Sequence, residues 1–137
     1  MKISLVPAER ADDVWGTVEP FLKKATEMSD GRWTTNDVLE AIKGEHFHLW
    51  IAIENSDIVA AATTSFTEYP QKRMLTGQFL GGRRLKDWVG LLDEMLKKWG
   101  LANQCAGIEL TGRNGWARAL KALDWSPKFT VMEKSYE

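Results

Sequence analysis

Cysteine and histidine are scarce in this chain: Cys105, His46 and His48 are the only three among 137 residues. A lone thiol cannot close an internal disulfide, and with two imidazoles it falls short of a structural zinc set, so a reducing, intracellular setting fits and no metal is expected. Proline is sparse too, and no stretch is rich enough in Pro, Gly or Ser to act as a linker. Long apolar runs are missing. The run Ile58-Val59-Ala60-Ala61-Ala62 is typical of the longest, far below the ~20 residues that cross a bilayer. The opening Met1-Lys2 meets Pro7-Ala8-Glu9-Arg10 too soon for a secretory signal. Nor does one sign of charge dominate: 18 Lys and Arg face 19 Asp and Glu, a formal charge of -1. No electrostatic footprint for nucleic acid follows from that balance, and a soluble, cytoplasmic protein is expected.

What the chain does have is core material, with 44% hydrophobic residues and seven tryptophans. A chain of 15.5 kDa exposes roughly 22,000 Å² unfolded and roughly 7,000 Å² when compact, which suffices for a single domain over residues 1–137 without crosslinks.

Hydrophobic periodicity sets the expected elements. Lys2 to Val6 alternates and stops at Pro7, as a strand does. Asp12 or Asp13 would cap a helix whose face is Val14, Val18, Leu22 and Ala25, with a kink or break near Glu19 because Pro20 interrupts it. Ser29-Asp30-Gly31-Arg32 predicts a turn, and Thr35, Val38, Leu39 and Ile42 a short helix ending at Gly44. His48–Glu54 and Ile58–Phe66 predict a hairpin across Asn55-Ser56-Asp57, and Arg73–Leu80 a third strand with a bulge or close approach at Gly77. Leu85, Trp88, Val89, Leu92, Leu96 and Trp99 predict a long helix ending at Gly100. Ala106–Leu110, Asn114–Leu123 and Phe129–Lys134 predict a strand, a helix and a last strand. The class is α/β (α+β), in the order β-α-α-β-β-β-α-β-α-β around a central mixed sheet.

That order resembles the Gcn5-related N-acetyltransferase (GNAT) fold over essentially the whole chain. Within it, the run Gly112-Arg113-Asn114-Gly115-Trp116-Ala117-Arg118-Ala119-Leu120, followed by Asp124-Trp125, is similar to the tail of small GNAT-like proteins of tailed bacteriophages. The resemblance implies acetyl-CoA as cofactor, held where the bulged strand turns into the long helix. Gln78, Phe79, Leu80, Gly81, Gly82, Arg83 and Arg84 stand there. Their backbone amides and two arginines suit a pyrophosphate at a helix start. The family loop is Q/R-x-x-G-x-G/A, and Gln78-x-x-Gly81 matches half of it. A plainer reading makes Gly81-Gly82 a turn and leaves the arginines solvated.

Many family members carry a tyrosine in the last helix that protonates the departing thiolate; Leu120 or Lys121 occupies that place here, and neither is a phenol. For the base that takes the amine's proton, Glu68 and Glu109 are the candidates, with Tyr69, His46 and His48 also near strand ends. Each carboxylate has a plainer reading as a solvated charge. Trp116, Ala119, Leu120 and Leu123 form an apolar face, whereas Arg113 and Arg118 have no core reason and suit a ligand phosphate or a surface pair.

Three functions are compatible with these residues. One is an acyl-CoA-dependent N-acetyltransferase acting on an amine whose identity the sequence does not show. A second is a catalytically degenerate GNAT-fold phage protein whose partners are phage structural proteins, virion-associated rather than only in the host cytoplasm. A third is an α/β module that binds some other anion.

Overall fold

The computed structural model describes residues 1–112 and 114–136. Five strands and four helices succeed one another as β1 (Lys2–Val6), α1 (Ala11–Glu27), α2 (Thr35–Lys43), β2 (His48–Glu54), β3 (Asp57–Glu68), β4 (Arg73–Gly82), α3 (Leu85–Ala102), β5 (Gly107–Leu110) and α4 (Asn114–Leu120). The sheet order is β1-β2-β3-β4-β5. Its first three pairings are antiparallel, and β4 with β5 is parallel. The α3 crossover between two parallel neighbours is what the alternation of strand and helix implied.

Local chemistry explains the boundaries. Asn55 and Ser56 both take left-handed backbone, φ 50° and 69°, the conformation of a two-residue hairpin turn that matches strand twist. Thr34 caps α2: its hydroxyl accepts from the Asp37 N–H while the Asp37 carboxylate accepts from the Thr34 N–H, a reciprocal capping box.

Helix α1 departs from expectation. It runs unbroken through Pro20. Proline at that position removes the hydrogen bond to the carbonyl of Gly16, but Gly16 and Pro20 are both exposed, so water can take the freed carbonyl. Burial of Val18 and Leu22, both 0% exposed, holds the two halves in one axis. Asp12 and Asp13 occupy the first turn rather than the cap, where carboxylates favour the helix dipole.

Two cores sandwich the sheet. On one face α3 packs Trp88, Leu92 and Leu96 against Trp50, Ala62 and Leu75. On the other, α1 and α2 pack Val18, Leu22, Val38 and Ile42 against Leu49 and Phe79. The close approach of α1 to β4 depends on glycine: a Cβ on Gly81 would lie 2.0 Å from the Phe21 carbonyl oxygen.

The expected final strand over Phe129–Lys134 is not formed. Residues 125–136 carry neither helix nor strand, and the chain after α4 ends in a 3-10 turn, Lys121–Leu123. Alternation creates a strand only where a neighbouring ladder satisfies its backbone. Here two side-chain tethers fix the tail instead. The Trp125 indole donates to Asp93 on α3 at 2.7 Å, and Glu133 pairs with Arg32 in the α1–α2 connection. The apolar face expected on α4 is partial: Leu120 is buried and Trp116 half-buried, whereas Ala119 is exposed. Among the described residues no helix is long and apolar enough to cross a membrane.

Candidate functional site

Strand β4 organises the site. Against β3, its register jumps from Ala62↔Leu80 to Thr64↔Gly77, so three steps on β4 answer two on β3 and the extra residue lies at Gln78-Phe79. This is the bulge that Gly77 suggested. Against β5, only Met74 to Gly77 are paired. Among the described residues, β4 continues beyond Gly77 for five residues to Gly82 with β3 on one side and no strand on the other, because β5 ends at Leu110. That stretch of β4 is a free edge.

A polar group lies beside the start of this edge. Register sets Thr76 beside Glu109, and the Thr76 hydroxyl donates to Glu109 Oε1 at 3.2 Å. The Tyr69 hydroxyl donates to the same oxygen at 2.6 Å, and Thr76 shares a 2.6 Å hydrogen bond with Thr67. Tyr69 is presented by a tight turn closed from its N–H to the Lys72 carbonyl, 2.9 Å. Its phenol is held above its ordinary pKa, first by the hydrogen bond to Glu109 and then by burial and the carboxylate's charge. Tyr69 thus stays protonated and keeps Glu109 in place. One step further along β4, the Gln78 amide donates to Ser65 Oγ while its Oε1, although buried, has no partner. A buried acceptor left open beside a free strand edge is a place for a donor from outside.

The two candidate carboxylates are separated by this arrangement. Glu68 turns to the α3 side, where it pairs with Arg73. Arg73 also lies 4.0 Å over the Phe66 ring and donates to the Asn103 carbonyl at 2.7 Å. Glu68 therefore belongs to a surface ion pair, and Glu109 alone faces the polar group. His48 is on the α3 side as well. Its Nδ1 is 2.8 Å from Thr64 Oγ1, which also accepts from the Trp50 indole at 2.9 Å, and its ring packs edge-on against Phe66 and Trp99. Burial, then the Arg73 charge, lowers its pKa. His46 is exposed beyond α2. Cys105 is a buried free thiol whose pKa burial raises, so it is not a nucleophile.

The segment from Gln78 to Arg84 also divides. Phe79 gives its N–H to Thr63 Oγ1 at 3.2 Å and its ring to the α1–α2 core; its amide is already spoken for. Leu80 turns to the α3 core. Gly81 and Gly82 are still paired in the sheet, opposite Ala61 and Ala60, and not in a loop. Gly82 has φ 148°, and a Cβ there would lie 2.4 Å from that of Ala60. Both glycines thus have packing reasons. Arg84 takes left-handed backbone at the start of α3, and its guanidinium is held by Glu54 and Asp87. Arg83 spends its N–H on the Val59 carbonyl, 2.8 Å, and its carbonyl on the Trp88 indole, 2.6 Å. Its exposed guanidinium makes no ion pair among the described residues. Of the two arginines only Arg83 is available to an anion at the uncapped end of α3. Arg113 lies outside the described residues, and Arg118 is exposed on α4.

Sequence reading missed the linkage of Tyr69, Thr67 and Thr76 to Glu109. Parity along the β3–β4 hairpin places Thr67 and Thr76 together, and that signal was available. The register of β5 against β4 was not.

No known family's sequence profile matches the chain, and no curated protein sequence is similar to it. Solved structures are similar over nearly the full length. A ribosomal-protein-alanine N-acetyltransferase from Brucella melitensis biovar Abortus 2308 superposes with TM-score 0.75 at 10% identity, covering 99% of this chain and 100% of that one. An aminoglycoside acetyltransferase from an uncultured soil metagenomic sample gives 0.74 at 14% identity, with 98% and 96% covered. A predicted acetyltransferase with acetyl-CoA from Clostridium acetobutylicum gives 0.65 at 14%, with 98% and 95% covered. The fold is that of the GNAT acetyltransferases.

Proposed function

We propose that this chain is an acyl-CoA-dependent N-acetyltransferase in which Glu109 receives the proton of the incoming amine. The observation that carries the reading is the β4 edge left free beyond the end of β5, with a hydroxyl-buttressed carboxylate at its start. The residues fit a thioester cofactor in two respects. The β4 rim from Gln78 to Gly82 has no β5 partner, which suits an extended amide-bearing arm. Arg83 leaves a free guanidinium at the start of α3, where phosphates are favoured. Acetyl-CoA bound there would supply the activated acetyl group.

The chain's own residues perform the rest. Glu109 accepts a proton from the ammonium, so the neutral amine can attack the thioester carbonyl; an N–C bond forms, the C–S bond breaks, and the second proton shed by the nitrogen passes through solvent to the departing thiolate. Tyr69 and Thr76 hold the carboxylate from two sides, limiting its rotation. Gln78 Oε1, open as an acceptor, orients the amine through an N–H.

Acetyl-CoA should raise the melting temperature as binding to the native state alone requires, and Arg83→Ala should weaken that shift. Thiol release in the presence of an amine panel should fall about 100-fold or more in Glu109→Gln and remain near wild type in Glu68→Gln. Equal losses in both variants would remove Glu109 from its role.

A second reading has its own observation. Leu120, where the family places a phenol, is a buried apolar side chain, 5% exposed, and Arg84 is engaged by carboxylates. A degenerate GNAT domain serving phage structural partners would show no thermal shift with millimolar acetyl-CoA and would co-purify with particles.

A further inference from the structure

The outer flank of α3 carries apolar side chains that neither core uses. Leu91 is 42% exposed, Met95 37% and Leu101 65%. Across from them, at the β1 edge of the sheet, Met1 and Leu5 are 40% and 39% exposed. Single exposed apolar residues are ordinary, whereas a contiguous group marks a contact surface. Here a groove of about 200 Å³ joins the two elements, lined by Met1, Ile3, Leu91, Glu94, Met95 and Lys98. Leu5 continues its β1 wall, because it shares a face of the strand with Ile3.

The order of residues along this flank narrows what can cover it. Leu91, Glu94, Lys98 and Leu101 follow on α3 at steps of three, four and three, so they form one stripe. The stripe has the same spacing from either end, about a midpoint level with Leu96, with leucines outside and opposite charges inside. Neither Glu94 nor Lys98 has an ion-pair partner among the described residues. A second α3 laid antiparallel across a two-fold axis at that midpoint sets Leu91 against Leu101 of the second copy, and Glu94 against Lys98 of the second copy. Every contact then occurs twice, as an isologous interface requires. A parallel arrangement would set Glu94 against Glu94 and Lys98 against Lys98, and like charges facing each other are costly.

We propose that this chain forms a two-fold dimer in which the α3 helices pair antiparallel, with Leu101 of each copy entering the groove beside Leu91 of the other. The charged pairs fix the register, and the apolar side chains supply the area removed from water. Met1 and Met95 suit the walls of such a groove, since their unbranched chains adapt to an entering side chain. The interface lies at the β1 end of the sheet, whereas Glu109 is on β5 at the opposite end. Each copy therefore keeps its free β4 edge open, and the dimer does not depend on the acetyl-transfer reading.

The test is sedimentation velocity of the full chain from micromolar to millimolar concentration, where a species of twice 15.5 kDa is expected. Glu94→Lys and Lys98→Glu, each alone, should raise the dissociation constant about 10-fold or more, because each sets like charges opposite one another at two points. The two substitutions together should restore it to near the wild-type value, and that rescue reports the pairing even where a single variant folds poorly. Leu101→Asp should yield a monomer with an unchanged circular-dichroism spectrum, because the side chain belongs to neither core. A monomer at every concentration would overturn the proposal. A dimer indifferent to both single charge reversals, or one that the combined substitution fails to restore, would place the interface elsewhere and overturn it equally.

Discussion

Strand β4 separates two environments that differ in what surrounds their polar groups, each keeping a buried atom without a hydrogen bond, Trp99 Nε1 on the α3 side and Gln78 Oε1 on the other. On the α3 side, Leu75 is fully buried, the charges Glu68 and Arg73 neutralise one another, and His48 is enclosed by Phe66, Trp99 and Thr64. On the α1–α2 side beyond Phe79, hydroxyls of Thr67, Thr76 and Tyr69 gather around one carboxylate, and Gln78 keeps a buried oxygen unpaired. The first arrangement stabilises; the second leaves capacity for a ligand. Two glutamates at strand ends, alike in sequence, thereby acquire different roles.

Four substitutions or conditions press on that contrast. Trp88→Ala empties the α3 core and leaves the Arg83 carbonyl without its indole donor; stability should fall by about 4 kcal/mol in urea titrations. Gly81→Ala drives a methyl into the Phe21 carbonyl, and a loss of about 3 kcal/mol is expected. A loss below about 1 kcal/mol would mean that α1 does not approach β4 so closely. Glu109→Gln should cost the transfer step about 2.7 kcal/mol, a factor of 100, with unfolding midpoints unmoved, whereas Glu68→Gln should leave both rate and fold near wild type.

The smallest effect is one of pH. His48 has a folded pKa below its ordinary 6.5, so between those two values the unfolded chain binds a proton that the folded chain refuses. Its contribution is therefore complete above about pH 6.5 and is lost as pH falls toward the folded value. Melting temperatures across that window should decline in the wild type and flatten in His48→Gln. An unchanged slope in the variant would show that His48 is not what titrates.

Much of the fold was legible because it depends on local rules. The helix from Thr35 to Gly44, the hairpin turn at Asn55-Ser56 and the three-and-four spacing of α3 each depend on a few residues, and each appears near where it was expected. Pro20 misled because its penalty is local, whereas burial of Val18 and Leu22 spans the whole helix and outweighs it. Phe129–Lys134 misled for the opposite reason: alternation is a permission to pair, and among the described residues no ladder takes it up. Within the site, Gly81 and Gly82 looked like a phosphate loop, yet Phe21 of α1 and Ala60 of β3 fill the places where their Cβ atoms would lie.

The sequence by itself determined the order of elements as far as α4, both apolar faces of the sheet and the bulge near Gly77, since periodicity and backbone freedom are properties of neighbouring residues. Only the tertiary structure decided that Glu109 faces Tyr69 and Thr76, that Glu68 faces Arg73, and that Arg83 is free where Arg84 is not. The contacts of Glu109 and of Arg84 with Glu54 join residues 30 or more apart, whereas the Glu68–Arg73 pair rests on the β3–β4 register, and a shift of one residue in a strand would exchange its two faces.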